Sequence, residues 1–488
     1  MVRRTKGSDY SRCMRWTRRR LLRSGGYAGL GAALPIRVGR PGGIPDEGTM
    51  FRWIRTVYER GVRRPGYPAD VWVERWIAGR FRRFGLERVR LEPVTALRWR
   101  PHRWSLRVTP ADGPSTMVRC YPVPYAAPAD GLELDLAAFD ASAPAAVAGK
   151  ASLYDLRLLR LPADLGLSAV APERVVDPGG TLAGAEHVLP FGAELLSVME
   201  PSIGAGAAAF IGALPGYPGD SHHYFVPYDA VRRPIPGVWI SGSDGQWLRE
   251  RLAAGLVRIR LTATATVDPV TTHNVVGELP GADDDLVIVG SHHDGPWSSA
   301  VEDASGIALV LAQAGYWASR PANERPHRLV FVLHAAHVAG FTGQLGFIAA
   351  HRTEIDRTVL EVHLEHAARE FTDRDGTIAP TGLPVPRWFF TSQVPALEAA
   401  VRSALVTERV HRSLILTPTA LGERPPTDAA FYYSAGVPIV NFLAAPFYLF
   451  DRADTLDKVD RAGLVPLTRA TVRVIEATRG VGPADWRA

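Results

Sequence analysis

The sequence predicts an α/β protein: a mostly parallel, mixed sheet covered by helices on both faces, with a β-rich module inserted into it. Three observations carry this reading. From about residue 285, near-continuous apolar runs at 286–290, 328–333 and 359–364 alternate with helical patterns, as strands buried on both faces do. Between about 110 and 245 the texture is different, rich in Pro, Ala and Gly with short apolar runs. The 488 residues are 46% hydrophobic and 22% charged, a globular composition that excludes disordered, collagenous and coiled-coil chains.

In chain order, residues 1–40 hold eleven Arg or Lys and one acidic residue, Asp9. The whole chain carries +6, so residues 41–488 carry −4 and the body lacks the basic surface that would favour nucleic acid. Thr17-Arg18-Arg19-Arg20-Leu21-Leu22-Arg23, followed by a Gly/Ala-rich run to Ile36, resembles the twin-arginine export motif. The expectation is export to the periplasm, cell envelope or outside; if the segment is only a basic arm, the protein is cytoplasmic. No uninterrupted apolar stretch approaches the ~20 residues of a membrane span. The two cysteines, Cys13 and Cys120, are too few for a four-cysteine zinc site.

Residues 68–84 form a helical pattern, with Val73, Trp76, Ile77, Arg80 and Phe84 on one face and Gly85 placed to end it. A strand follows at 86–94. Strands are expected at 149–155, 207–211 and 235–240, and a helix at 244–254. Then come strands at 286–290, 328–333 and 359–364, a helix at 303–317 between the first two, a helix at 395–407 and a strand at 438–443. This divides the chain into an N-terminal arm (1–40), a first part of the main domain (41–110), the insert (111–265) and the rest of the main domain (266–488).

Ligand groups in open α/β sheets gather just beyond the carboxyl ends of strands. At those positions stand Ser291-His292-His293-Asp294, His334-Ala335-Ala336-His337 and Glu365-His366, and before the helix Glu302-Asp303-Ala304-Ser305-Gly306. Eight of the fourteen histidines fall between 292 and 366, which scattered core histidines would not do. Imidazole with carboxylate is a divalent-metal ligand set, and zinc suits it best.

The order strand, His-x-Asp, acidic pair-x-Ser-Gly, helix, strand, strand resembles the co-catalytic zinc aminopeptidases, including the glutamate carboxypeptidase and transferrin-receptor relatives. Residues 274–281 (Asn-Val-Val-Gly-Glu-Leu-Pro-Gly) and Asp454-Thr455-Leu456-Asp457 fit the same pattern, and the insert resembles the protease-associated domain of those relatives. The resemblance implies that His292 is a first-metal ligand, that Asp294 orients it, that Glu302 stands for the bridging aspartate and Glu365 for the third-strand aspartate. It puts His337 in the place of the general-base glutamate. Val338 and Phe450 occupy the places of the two private ligands of the second metal, so that metal loses its hold.

The expectation is therefore a single zinc held by His292, Glu302 and Glu365 with an open position for water, whose pKa the ion lowers to about 7. His337 would serve as base, its imidazole titrating near working pH. Asp303 is the alternative to Glu302; His293, His334 and His366 are spare candidates; His363, mid-strand, reads as a core residue; and His222 and His223 are either surface or cleft residues. The substrate expected is a peptide or other small amide. The rival class is a metal-free, inactive relative acting as a binding module, and a third reading keeps the metal but changes the chemistry, as in glutaminyl cyclases. Nothing in the chain fits a serine-hydrolase elbow or a phosphate-binding loop.

Overall fold

Two unusually long strands, Glu87–Pro110 and Val257–Leu279, pair antiparallel from Arg90↔Val276 to Pro110↔Val257, with one irregularity at Pro101/Arg103. This is a computed structural model, and it describes residues 43–487 except 163, 165, 166, 168 and 169. The export-motif reading lies outside the described residues. Val257–Leu279 pairs with Ala129–Ala138 at its beginning and with Arg328–His334 at its end. Among the described residues, one 15-stranded mixed sheet results.

In the half that carries the histidines, Leu286–His292 lies parallel between Arg328–His334 and Thr358–Leu364, and Thr358–Leu364 is parallel to Ile439–Leu443. Arg387–Thr391 then joins antiparallel. Both faces are covered. Val287, Val289, Leu329 and Phe331 belong to the main core with the almost wholly buried helix Ala304–Ala318, while Ile288, Val330 and Val332 pack with Phe347, Ala429 and Tyr432 of the helices Thr342–Ala350 and Ala429–Ser434. Successive side chains point to opposite faces, which is why these strands read as continuous apolar runs.

The helix Pro68–Phe84 ends at Gly85, whose φ of +89° suits a residue without Cβ. It buries Val73, Ile77 and Phe81, whereas Phe84 is only partly buried. The strand expected at 86–94 runs on to Pro110, because its pairing with Val257–Leu279 continues through positions that lack a clean alternation. Helices Glu47–Tyr58 and Arg461–Glu476, not singled out in the sequence, pack near Ala304–Ala318. The strands Ala151–Asp155, Ala209–Leu214 and Gly237–Ser241 and the helix Gly242–Ala254 form where expected. They enclose a separate apolar cluster that includes Leu106, Leu153, Ile211, Ile240 and Leu248.

Candidate metal centre

His292 and His334 end adjacent parallel strands in register, so the loops after them open on one edge of the sheet. Glu302 reaches this edge from the loop before the helix Ala304–Ala318. That loop is fixed from two sides. The buried Arg63 guanidinium donates to the carbonyls of His293, Ser298, Ser299 and Glu302. The Asp454 carboxylate accepts from the backbone N–H groups of Val301 and Glu302 at 2.8 and 2.9 Å.

Three imidazoles converge on Glu302. Each has its Nδ1 against an acceptor: His292 on the Asp294 carbonyl (3.0 Å), His366 on the Ala444 carbonyl (2.9 Å) and His337 on the Asp428 carboxylate (2.9 Å). These acceptors assign the hydrogen to Nδ1 and turn Nε2 inward. The Nε2 atoms of His292 and His337 are each 3.5 Å from Glu302 Oε1, and that of His366 is 2.5 Å from Oε2. Exposure is 0% for His292, 1% for Glu302, 6% for His366 and 9% for His337. Yet His292 Nε2, His366 Nε2 and both Glu302 oxygens have no aligned hydrogen-bond partner. Orphaned buried atoms of this kind demand an explanation. Ligand atoms 2.0–2.1 Å from a tetrahedral zinc lie ~3.3 Å apart, close to the His292–Glu302 separation. The donor set His292, Glu302 and His366 fits a zinc ion.

The electrostatics of the site's own side chains agree with that reading. Burial would raise the Glu302 pKa, but His366, His292 and His337 together bring it below the usual carboxylate range. Burial pushes the His366 imidazole down, and Glu302 outweighs it, taking the pKa up to about 10. His337 reaches about 9 in the same way, through Asp428 and then Glu302. Protons here hold the place that a cation would take.

Glu365, expected as a third ligand beside His292 and Glu302, is placed with different neighbours. Among the described residues its ligand atoms group within 4.8 Å with His363 and Asp428, whereas His292 and Glu302 group with His366. Asp294 orients His292 through its backbone carbonyl; its carboxylate accepts from the N–H groups of His337 and Val338 at 3.0 and 2.9 Å and so shapes the turn that carries His337. Asp303 is engaged as the helix cap, accepting from Gly306 N at 2.8 Å and from the Ser291 hydroxyl. His293 turns to Asp70 and the His273 carbonyl. His334 contacts the Tyr432 hydroxyl at 3.0 Å, with its pKa lowered well below normal, chiefly by burial. His223 packs half-buried against Tyr121 and Trp297.

The sequence resemblance sets Val338 and Phe450 in the places of two ligands of a second metal. Val338 and Phe450 are buried, and the Tyr228 ring packs 5.0 Å from Phe450 and stacks on His337 at 5.5 Å and 18°. Tyr228 is held there by its carbonyl, which accepts from Gly340 N at 3.0 Å. Tyr228 and Asp428 went unnoticed in the sequence. Asp428 stands 91 residues from its partner His337, and the one local cue is an acidic residue heading the short helix Ala429–Ser434.

The family model of Peptidase family M28 matches residues 274–475. Similar solved structures include a Peptidase M28 precursor from Shewanella amazonensis (19% identity, TM-score 0.67, covering 90% of this chain and 94% of that one). An aminopeptidase from Aneurinibacillus sp. strain AM-1 is 18% identical with a TM-score of 0.61, covering 91% and 96%. BSAP, a zinc aminopeptidase from Bacillus subtilis, is 16% identical with a TM-score of 0.62, covering 90% and 96%. Comparison with curated proteins gives no match. The resemblance to the co-catalytic zinc peptidases is thus found again over residues 274–475, and the solved structures show the shared fold.

Proposed function

We propose that the protein is a zinc-dependent, aminopeptidase-like metallohydrolase acting on a peptide or other amide bond, with an altered centre that keeps one ion of the family's pair. The observation that carries this is the convergence of three Nε2 atoms, each set by an acceptor on Nδ1, upon the Glu302 carboxylate. His292, Glu302 and His366 would hold the ion. A zinc ion there supplies Lewis acidity toward a carbonyl group.

The remaining work falls to the chain's own residues. With an ion held there, His337 would act as the base, taking up a proton at Nε2, which faces the site 3.5 Å from Glu302 Oε1. Asp428, 2.9 Å from Nδ1, fixes the ring and stabilises the imidazolium formed by that uptake. Tyr228, Phe341 and Phe450 pack around the site and exclude water from the side where the second metal sits in the family. We read residues 111–265 as a protease-associated-like module, and the arginine-rich N-terminus as an export address; both readings rest on sequence resemblance.

The test is zinc per mole and hydrolysis of aminoacyl anilides, for the wild type and for His292→Ala. Zinc and activity that both disappear in the variant support the proposal. A folded wild type that takes up no zinc at a free concentration of 10⁻⁶ M would instead identify an inactive binding protein, the reading favoured by the apolar packing of Val338 and Phe450.

A further inference from the structure

A second cluster lies beyond Asp428, built on one face of a central strand. Glu361, His363 and Glu365 alternate along and just past Thr358–Leu364, so their side chains share a face while Val362 and Leu364 enter the core on the other. All three are buried, as is Asp428. A central strand interior is an expensive place for three titratable groups. None of them takes part in the proposed reaction.

The geometry within the cluster is directional. His363 Nδ1 is 2.7 Å from Glu361 Oε1, so Nδ1 carries the hydrogen and Nε2 points away from Glu361. Nε2 then faces Glu365 Oε1 at 3.0 Å and Asp428 Oδ2 at 3.8 Å. Despite the 3.0 Å approach, neither His363 Nε2 nor Glu365 Oε1 has an aligned hydrogen-bond partner. Two atoms that face a common point, rather than each other, behave this way. Their separations bracket the ~3.3 Å expected between two ligand atoms on one tetrahedral zinc. The neighbouring strand leaves room for the arrangement: a Cβ on Gly290 would stand 3.2 Å from Glu361 Oε1 and 3.3 Å from His363 Nδ1.

We propose that His363, Glu365 and Asp428 form a second divalent-cation site, of zinc-type ligand chemistry, with Glu361 as the carboxylate that orients His363. With a neutral imidazole, the three carboxylates of Glu361, Glu365 and Asp428 carry −3 without an ion and −1 with a dication, which reduces the cost of burying the set. The Glu361–His363 pair is the carboxylate–imidazole–metal arrangement in which the outer carboxylate fixes the tautomer of the ligand. The site shares no residue with the apolar berth at Val338 and Phe450. It is joined to the first centre through Asp428, which accepts from His337 Nδ1. It does not depend on the first centre being catalytic.

The experiment is zinc analysis of the full-length protein, equilibrated in a zinc buffer, for wild type, Glu365→Gln, His292→Ala and the double variant. Two ions in wild type, one in each single variant and none in the double support both sites. One ion that is lost in His292→Ala and kept in Glu365→Gln overturns the second site alone. One ion lost in Glu365→Gln and kept in His292→Ala overturns the first alone, and no zinc in a folded wild type overturns both. If Glu365→Gln does not fold, Glu361→Gln replaces it. The second ion should then bind ~10–100-fold more weakly and the first unchanged; equal affinities with the wild type for both ions overturn the proposal.

Discussion

The rings of His292 and His337 lie face to face, their centroids 3.9 Å apart and their planes 10° from parallel. The Nε2 atoms of both are 3.5 Å from the same oxygen of Glu302. A cation held by one of two stacked rings repels a proton on the other, so the proton on His337 is tied to what His292 binds. A cation on His292 must therefore lower the proton affinity of His337, which turns a cationic side chain into a base.

That coupling first predicts proton release. In the metal-free protein His366 titrates at about 10 and His337 at about 9, so both are protonated at pH 7.5. Zinc on His366 Nε2 must displace one proton, and the ion lowers the hold of His337 on another. Calorimetric titration in buffers of differing ionisation enthalpy should show between one and two protons released per ion at the first centre. Zero release would contradict the assignment of His366 as a ligand.

Removing His366 should separate it from the family pattern, which has Glu365 in the ligand place. His366→Gln is expected to lose zinc from the first centre and to lose hydrolysis with it. Metal analysis and anilide hydrolysis check this, and full zinc occupancy of that centre in His366→Gln would return Glu365 to the ligand set.

His337→Gln should retain zinc but lower kcat ~10²–10⁴-fold, with a much smaller change in KM, the range for loss of a positioned general base. Steady-state kinetics with parallel metal analysis decide it. Asp428→Asn should move the acidic limb of the pH–rate profile, since it removes the carboxylate that raises the His337 pKa.

Stability of the metal-free protein should fall as the solution is made alkaline. His293 is held at about 9, the Asp70 carboxylate outweighing burial, while His337 stands at about 9 and His366 at about 10. All three are raised above the ~6.5 of an unfolded chain. The folded state therefore holds protons that the unfolded state releases. Their contribution is complete below about pH 6.5 and is lost as the pH rises through 9 to 10. Denaturant titrations at pH 7, 8, 9 and 10 should show a declining midpoint, with a shallower decline in the zinc-loaded protein.

Arg63→Ala should cost at least ~3 kcal/mol, because it orphans the carbonyls that the guanidinium gathers and charged hydrogen bonds are worth ~1.5–3 kcal/mol each. It should also weaken zinc binding at the first centre, since one of those carbonyls belongs to Glu302. Urea midpoints and zinc affinity measure the two effects.

The parallel strands and the helix between them were legible in the sequence because each buries both faces and carries an unbroken apolar run. His292 and Glu302 were legible because they flank a strand end and a helix start, which the topology must bring together. Between Glu365 and His366 the sequence favours Glu365 as the ligand, on the family resemblance; adjacent residues leaving a strand point opposite ways, and which one meets His292 depends on the backbone turn, where His366 has φ +55°. His363 read as an ordinary core residue, since its partners Glu361 and Glu365 gain meaning only when the strand face is known. Asp428, Arg63 and Tyr228 act across 91, 230 and more than 100 positions of chain, and no local pattern announces such contacts.

The paired strands Glu87–Pro110 and Val257–Leu279 give the molecule a cantilever. One end is anchored beside the strand that leads to His334, and the other bears the apolar cluster around Leu106 and Leu248. The register shifts twice along the pair, at Glu87/Arg90 and at Pro101/Arg103. The arm is not independent of the histidine edge, since Tyr228, from the chain between its two strands, stacks on His337.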